Sequence, residues 1–154
     1  MIDVEIEDEA WGTALPAAEA LTLAAAWAAL ASEGVEGGGV TLLLTDDASV
    51  QELNARFRGK DSATNVLSFP APENPEGHLG DVALAFGVCA REAEAQGKPL
   101  AHHLQHLVVH GVLHLLGYDH MTDAEAETME DLERVVLAGL GIADPYAASE
   151  RDHD

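Results

Sequence analysis

One cysteine, seven aromatic residues and seven basic residues are all that this chain of 154 residues has of those types. A lone Cys89 excludes an internal disulfide, fits a reducing cytosol, and reads as a small buried apolar residue. The scarcity of aromatics gives little support to recognition of single-stranded nucleic acid by stacking. Trp11, Trp27, Phe57 and Phe86 are expected to be packing residues. No apolar run reaches the roughly 18–20 residues of a membrane span. The Ala/Leu-rich stretch from Ala14 to Ala31 is interrupted by Glu19 and lacks the basic start of a signal peptide. Seven Lys and Arg against 28 Asp and Glu leave a formal net charge of −21. Such a chain repels nucleic acid at long range and has no ordinary basic footprint. Arg56, Arg58 and Lys60 nevertheless fall within five residues, so any anion site is expected there.

What is present is enough apolar sequence, 47% of residues, to bury a core in one domain spanning 1–154. Residues 2–7 alternate as a half-buried strand, and Val40–Thr45 and Leu79–Phe86 read as further strands. A strand over Ala63–Phe69 is expected to stop at Pro70, with a Pro/Gly-rich loop to His78. Helices are expected over Leu15–Glu33, with Leu23, Trp27 and Leu30 on its buried stripe. Others are expected from an Asp46 or Asp47 cap to about Phe57, and near 87–97 and 100–116. The last runs from Thr122, which with Glu125 forms a capping box, to about Gly139. Tyr146 to Asp154 reads as a polar tail, of which residues 147–154 are expected to be flexible. The fold class is therefore α+β: a small mixed four-stranded sheet packed with about five helices.

Residues 110–120 read H-G-V-L-H-L-L-G-Y-D-H. His110 and His114, four apart, project from one face of a helix. Gly117 suits the left-handed turn that ends it, and the reversing chain can return His120 to the same point. Three imidazoles with a fourth position open are the ligand set of a catalytic zinc site, with one ion per chain. Imidazole also suits nickel, copper or iron, and zinc is the first expectation because three His plus water is its familiar hydrolytic arrangement. Such an ion brings a bound water near neutral pKa. The spacing resembles the metzincin protease motif, H-E-x-x-H-x-x-G-x-x-H. Gly111, however, stands where those proteases carry their general-base Glu.

The eleven-residue block also resembles the signature of the YbeY family of metal-dependent bacterial endoribonucleases. The resemblance continues in L-N-A-R-F-R-G-K-D-S-A-T-N-V-L-S-F-P at 53–70 and L-G-D at 79–81. It extends to G-K-P-L at 97–100 and D-P-Y at 144–146. It implies a cytoplasmic, zinc-dependent, single-strand-specific endoribonuclease. Its role would be in 3′-end maturation of small-subunit ribosomal RNA and in ribosome quality control. Partners would be ribosomal RNA, the small ribosomal subunit and ribosome-associated proteins, with no membrane. It also implies His110, His114 and His120 as metal ligands and Arg58 as the arginine facing the metal.

A guanidinium at Arg58 can hold two phosphate oxygens while charge builds on them. Arg56 and Lys60 are candidate backbone-phosphate contacts. Ser68 is a candidate for reaching substrate or the metal-bound water. Asp119 is expected to support a ligand imidazole, with proton transfer or turn-shaping as alternatives. His106, one turn before His110, is a candidate support behind the ligands or a packing residue. His78, His102, His103 and His153 have no ligand spacing. Two other readings stand beside the nuclease: a zincin-like metallohydrolase or protease, and a ribosome-assembly binding factor whose metal is structural.

Overall fold

Alternation of Ile2 and Val4 with acidic residues produces strand β1 (Ile2–Ile6), whose apolar side packs on the core. The computed structural model describes residues 2–35 and 37–146. The tail 147–154, with Arg151 and His153, lies outside the described residues. Asp8 then caps a short helix, α1 (Glu9–Ala14), by accepting from the Ala10 amide at 2.9 Å. Its Trp11 is fully buried and donates from Nε1 to the Thr45 carbonyl at 3.0 Å.

This helix was not expected, and the expected helix from Leu15 is shorter. Leu15 is extended at φ −132°, because Pro16 crowds any helical conformation of the residue before it. α2 (Ala18–Ser32) therefore starts beyond the proline. Its buried side is Ala18, Thr22, Ala25, Ala26, Ala29 and Leu30. Trp27, expected on the buried stripe, is 66% exposed. The alanines let α2 approach its neighbour closely, and that contact side turns Trp27 outward.

β2 (Gly39–Thr45) and α3 (Asp47–Arg58) follow. Asp46 Oδ1 caps α3 through the Ser49 amide at 2.7 Å, and Gly59 ends it at φ 69°. β3 (Val66–Pro70) is shorter at its start than expected and includes Pro70. The Asn65 side chain accepts from the Val66 amide at 2.7 Å, and Asn54 holds the Ser62 carbonyl at 2.9 Å. These local bonds keep 61–65 out of the ladder. Pro70 is tolerated because β3 is an edge strand. β4 (His78–Ala85) leads into α4 (Phe86–Ala95), then α5 (Leu100–Leu115) and α6 (Asp123–Gly139). Thr122 Oγ1 caps α6 through the Glu125 amide at 3.1 Å.

The sheet has the order β1-β2-β4-β3, with β3 antiparallel to β4 and the other pairs parallel. Mixed α/β architecture around a four-stranded mixed sheet is as expected, with six helices among the described residues rather than five. Val40, Leu42, Leu44, Val82 and Leu84 form one face with Leu104, Val108, Val109 and Val112 of α5. The other face puts Leu67, Ala83 and Ala85 against Val50 of α3.

α5 lies unusually close to the sheet at one point. A Cβ placed on Gly111 would stand 2.6 Å from Val82 Cγ1 and 3.3 Å from Ser68 Oγ. Gly80 on β4, at φ 149°, is pressed in the same way by the Phe69 carbonyl and by Leu115. These two glycines set the depth at which the C-terminal half of α5 sits.

Candidate metal centre and its cleft

α5 carries His110 and His114 on its last two turns, both half-buried. The helix stops in a paired arrangement. Gly117 (φ 103°) donates to the His114 carbonyl at 3.0 Å, and Tyr118 to that of Leu113 at 3.1 Å. This is the glycine-ended reversal expected from the spacing. It swings residues 118–120 back over the helix end. The ring centroids of His110, His114 and His120 lie 4.8–5.6 Å apart. One nitrogen of each falls within 4.8 Å of the others, so the cluster could hold a metal ion. Burial, then the neighbouring His110 and His120, pulls the pKa of His114 below its usual value. That favours the neutral form a metal needs.

Behind the cluster stands a group that the sequence reading missed. Glu133 of α6 is 1% exposed, and its Oε2 lies 3.4 Å from Nδ1 of His110. Its Oε1 meets His106 Nε2 at 2.6 Å and accepts from the Tyr146 hydroxyl at 2.9 Å. Burial alone would raise the carboxyl pKa. The hydrogen bonds with His106 and His110 prevail and hold it near about 2. A proton kept on Nδ1 of His110 leaves Nε2 with a free lone pair. Three converging imidazoles, one of them backed by a carboxylate, fit a transition-metal ion, whereas magnesium and calcium seek oxygen. The signal for Glu133 was present but faint: it shares the stripe of Met129, Val136 and Leu137 on an otherwise amphipathic helix.

Several expectations shift accordingly. Asp119 accepts from the His120 amide at 2.8 Å and stays 4.0 Å from its Nδ1, so it shapes the turn and makes no imidazole hydrogen bond. His106 touches no member of the cluster directly; Glu133 joins it to His110. Tyr146, expected to begin the polar tail, is half-buried against His106. His103 pairs with Glu92 at 3.0 Å and His78 with Asp81 at 3.0 Å, both away from the cluster. Cys89 is fully buried, as expected.

The cluster opens into a cleft of about 710 Å³ whose lining also includes Arg58 and Lys60. Arg58 Nη2 donates to the Ser68 carbonyl at 2.7 Å, while the Ser68 hydroxyl donates to the Gly111 carbonyl at 3.0 Å. Ser68 thus spends its side chain on α5 and its carbonyl on the arginine. It is buried and serves as a brace, with its hydroxyl proton engaged by α5. Elsewhere, Arg91 and Arg134 are paired with carboxylates at 3.1 Å or closer. Among the described residues Arg58 and Lys60 make no ion pair. Arg56 faces a neighbouring groove and reaches Glu52 only at 4.0 Å. Phe57 is 61% exposed there, against the expectation that it packs.

Residues 5–141 match the family model described as Endoribonuclease YbeY. A protein of that name from Azorhizobium caulinodans is 56% identical over 95% of this chain and 96% of its own length. Another from Maricaulis maris is 50% identical over 94% and 91%. A solution structure of TM1509 from Thermotoga maritima is alike in fold, with a TM-score of 0.59. It is 24% identical over 94% of this chain and 98% of that one. Matched over nearly its whole length, the chain belongs to the endoribonuclease YbeY family.

Proposed function

We propose that this chain is a zinc-dependent endoribonuclease that cuts single-stranded ribosomal RNA in 3′-end maturation of the small-subunit RNA and in ribosome quality control. The observation that carries the reading is one juxtaposition: Arg58 and Lys60 share a cleft with three converging histidines. His110, His114 and His120 would hold the ion, one per chain. When bound, zinc supplies Lewis-acid chemistry at a phosphodiester. Arg58 points guanidinium N–H groups at the phosphate oxygens on which charge accumulates, with one N–H anchored on the Ser68 carbonyl. Lys60 adds charge at the cleft wall. Glu133 keeps His110 oriented. Asp119 holds the turn that presents His120.

The net charge of −21 weakens attraction to free RNA. The small ribosomal subunit, with its associated proteins, would therefore present the substrate, in the cytoplasm. No helix among the described residues is long and apolar enough to cross a membrane. The protease reading loses support on steric grounds. A side chain at Gly111 would collide with Val82, so the general-base Glu of the proteases has no room at that position.

The test is cleavage of a small-subunit ribosomal RNA precursor with an unprocessed 3′ end, free and in assembled subunits. It is run before and after chelation, after zinc return, and with His114→Ala. The reading expects activity lost with metal, restored by zinc and absent in the variant. No cleavage by zinc-loaded, folded protein in either setting would favour the assembly-factor reading. Cleavage that survives His114→Ala would mark a contaminant.

A further inference from the structure

A second groove of about 810 Å³ borders the cleft, and the two share Arg58, Ser68 and Pro70 in their linings. Phe57, in the last turn of α3, stands in this groove with most of its ring in solvent. It meets Phe69 of β3 edge-on, with centroids 5.6 Å apart at 64°. The Arg56 guanidinium lies 5.9 Å from the Phe57 centroid, and that of Arg58 lies 5.8 Å from Phe69. Arg56 is only loosely paired with Glu52, at 4.0 Å with both side chains mostly exposed, a contact worth little. Asp81, also in the groove, is engaged by His78. On so acidic a protein, two arginines flanking an exposed phenylalanine form a local exception to the surface charge.

We propose that this groove is a stacking subsite for one nucleobase of the single-stranded RNA flanking the scissile phosphodiester. The base lies on Phe57, and Arg56 meets the adjoining phosphate. The proposal rests on the ribonuclease reading above. A strand whose phosphate sits at Arg58 has to leave the cleft, and this groove shares that residue in its lining. Its wall offers the two things a flanking nucleotide requires, a π-face for the base and a cation for the backbone. Stacking on phenylalanine is indifferent to base identity, so the subsite would add affinity for single strands without adding sequence specificity. A duplex, whose bases are already stacked, cannot use it.

The experiment measures binding of a fluorescent single-stranded RNA of about eight nucleotides to the zinc-loaded protein. Single abasic positions are scanned along the strand. Wild type, Phe57→Ala and Phe57→Trp are compared. One abasic position is expected to weaken binding to wild type by about 5–100-fold. Phe57→Ala should weaken the intact strand similarly and lose its sensitivity to that position, while Phe57→Trp keeps both. Phe57 is largely exposed, so neither variant threatens the fold. Unchanged binding by Phe57→Ala, or an abasic penalty equal in wild type and Phe57→Ala, overturns the subsite alone. A wild-type protein that does not bind the intact strand overturns the subsite; one that also fails to cleave the ribosomal RNA precursor, free and in assembled subunits, overturns the ribonuclease reading with it.

Discussion

Nδ1 of His110 and Oε2 of Glu133 face each other at 3.4 Å across the packed surfaces of α5 and α6. A carboxylate behind a metal-binding imidazole fixes its tautomer and ring plane, and its loss usually costs 10–100-fold in metal affinity. Glu133→Gln is expected to weaken zinc binding by about that factor, read by chelator competition. Affinity equal to wild type would show that the contact does not position His110.

The same carboxylate should mark the acid limb of stability. A carboxyl whose folded pKa lies below its unfolded value stabilises the fold above the unfolded value. That contribution is lost as pH falls toward the folded one. For Glu133 the window runs from the ordinary 4.5 down to about 2. In metal-free protein, the Tm advantage of wild type over Glu133→Gln should therefore shrink as pH falls through this range. An advantage independent of pH would contradict the assignment.

Gly111 leaves no room for a side chain between α5 and the sheet, since a Cβ there would stand 2.6 Å from Val82 Cγ1. Overpacking of this kind typically costs about 1–3 kcal/mol. Gly111→Ala should lower stability by about that amount in urea denaturation. Gly111→Glu should fail to fold, or fold without peptidase activity. A stable, proteolytically active Gly111→Glu protein would show that the helix can lift off Val82.

Arg58 is exposed, and among the described residues its one side-chain hydrogen bond is to a main-chain carbonyl. Arg58→Ala is expected to lose about 10²–10³ in kcat while zinc content stays at wild-type level. Arg58→Lys should recover little, because an ammonium cannot grip the Ser68 carbonyl and present a planar fork to phosphate together. Loss of zinc in either variant would make the residue structural.

Cys89 is fully buried beside α3 and α4 residues, and burial, followed by the charges of Glu92 and Asp47, raises its thiol pKa well above the ordinary value. The thiolate is the reactive form. Native protein at about pH 8 should leave a thiol reagent unreacted, and one thiol per chain should titrate after denaturation. Rapid reaction of the native state would mean that this part of the core opens readily.

The histidine cluster was legible because each part of it is a local rule. Spacing puts His110 and His114 on one face, and Gly117 supplies the left-handed turn. His120 then needs only the short reversal between them. α1 was missed because six residues after Asp8 show no full helical period. The start of α2 was misplaced because Pro16 was passed over. β3 began late because Asn65 and Asn54 bind backbone groups that a strand would use.

Sequence by itself determined the strands, most helices, the converging histidines and the mixed sheet. Alternation, capping and turn chemistry act between residues a few positions apart, and they survive whatever the rest of the chain does. Tertiary structure decided which distant groups meet. It brought Glu133, rather than the adjacent Asp119, to His110. It made Ser68 a brace between Arg58 and Gly111. It left Trp27 and Phe57 in solvent. The brace depends on how deeply α5 beds against β4, a distance set by two glycines and the side chains facing them. No local pattern records that distance.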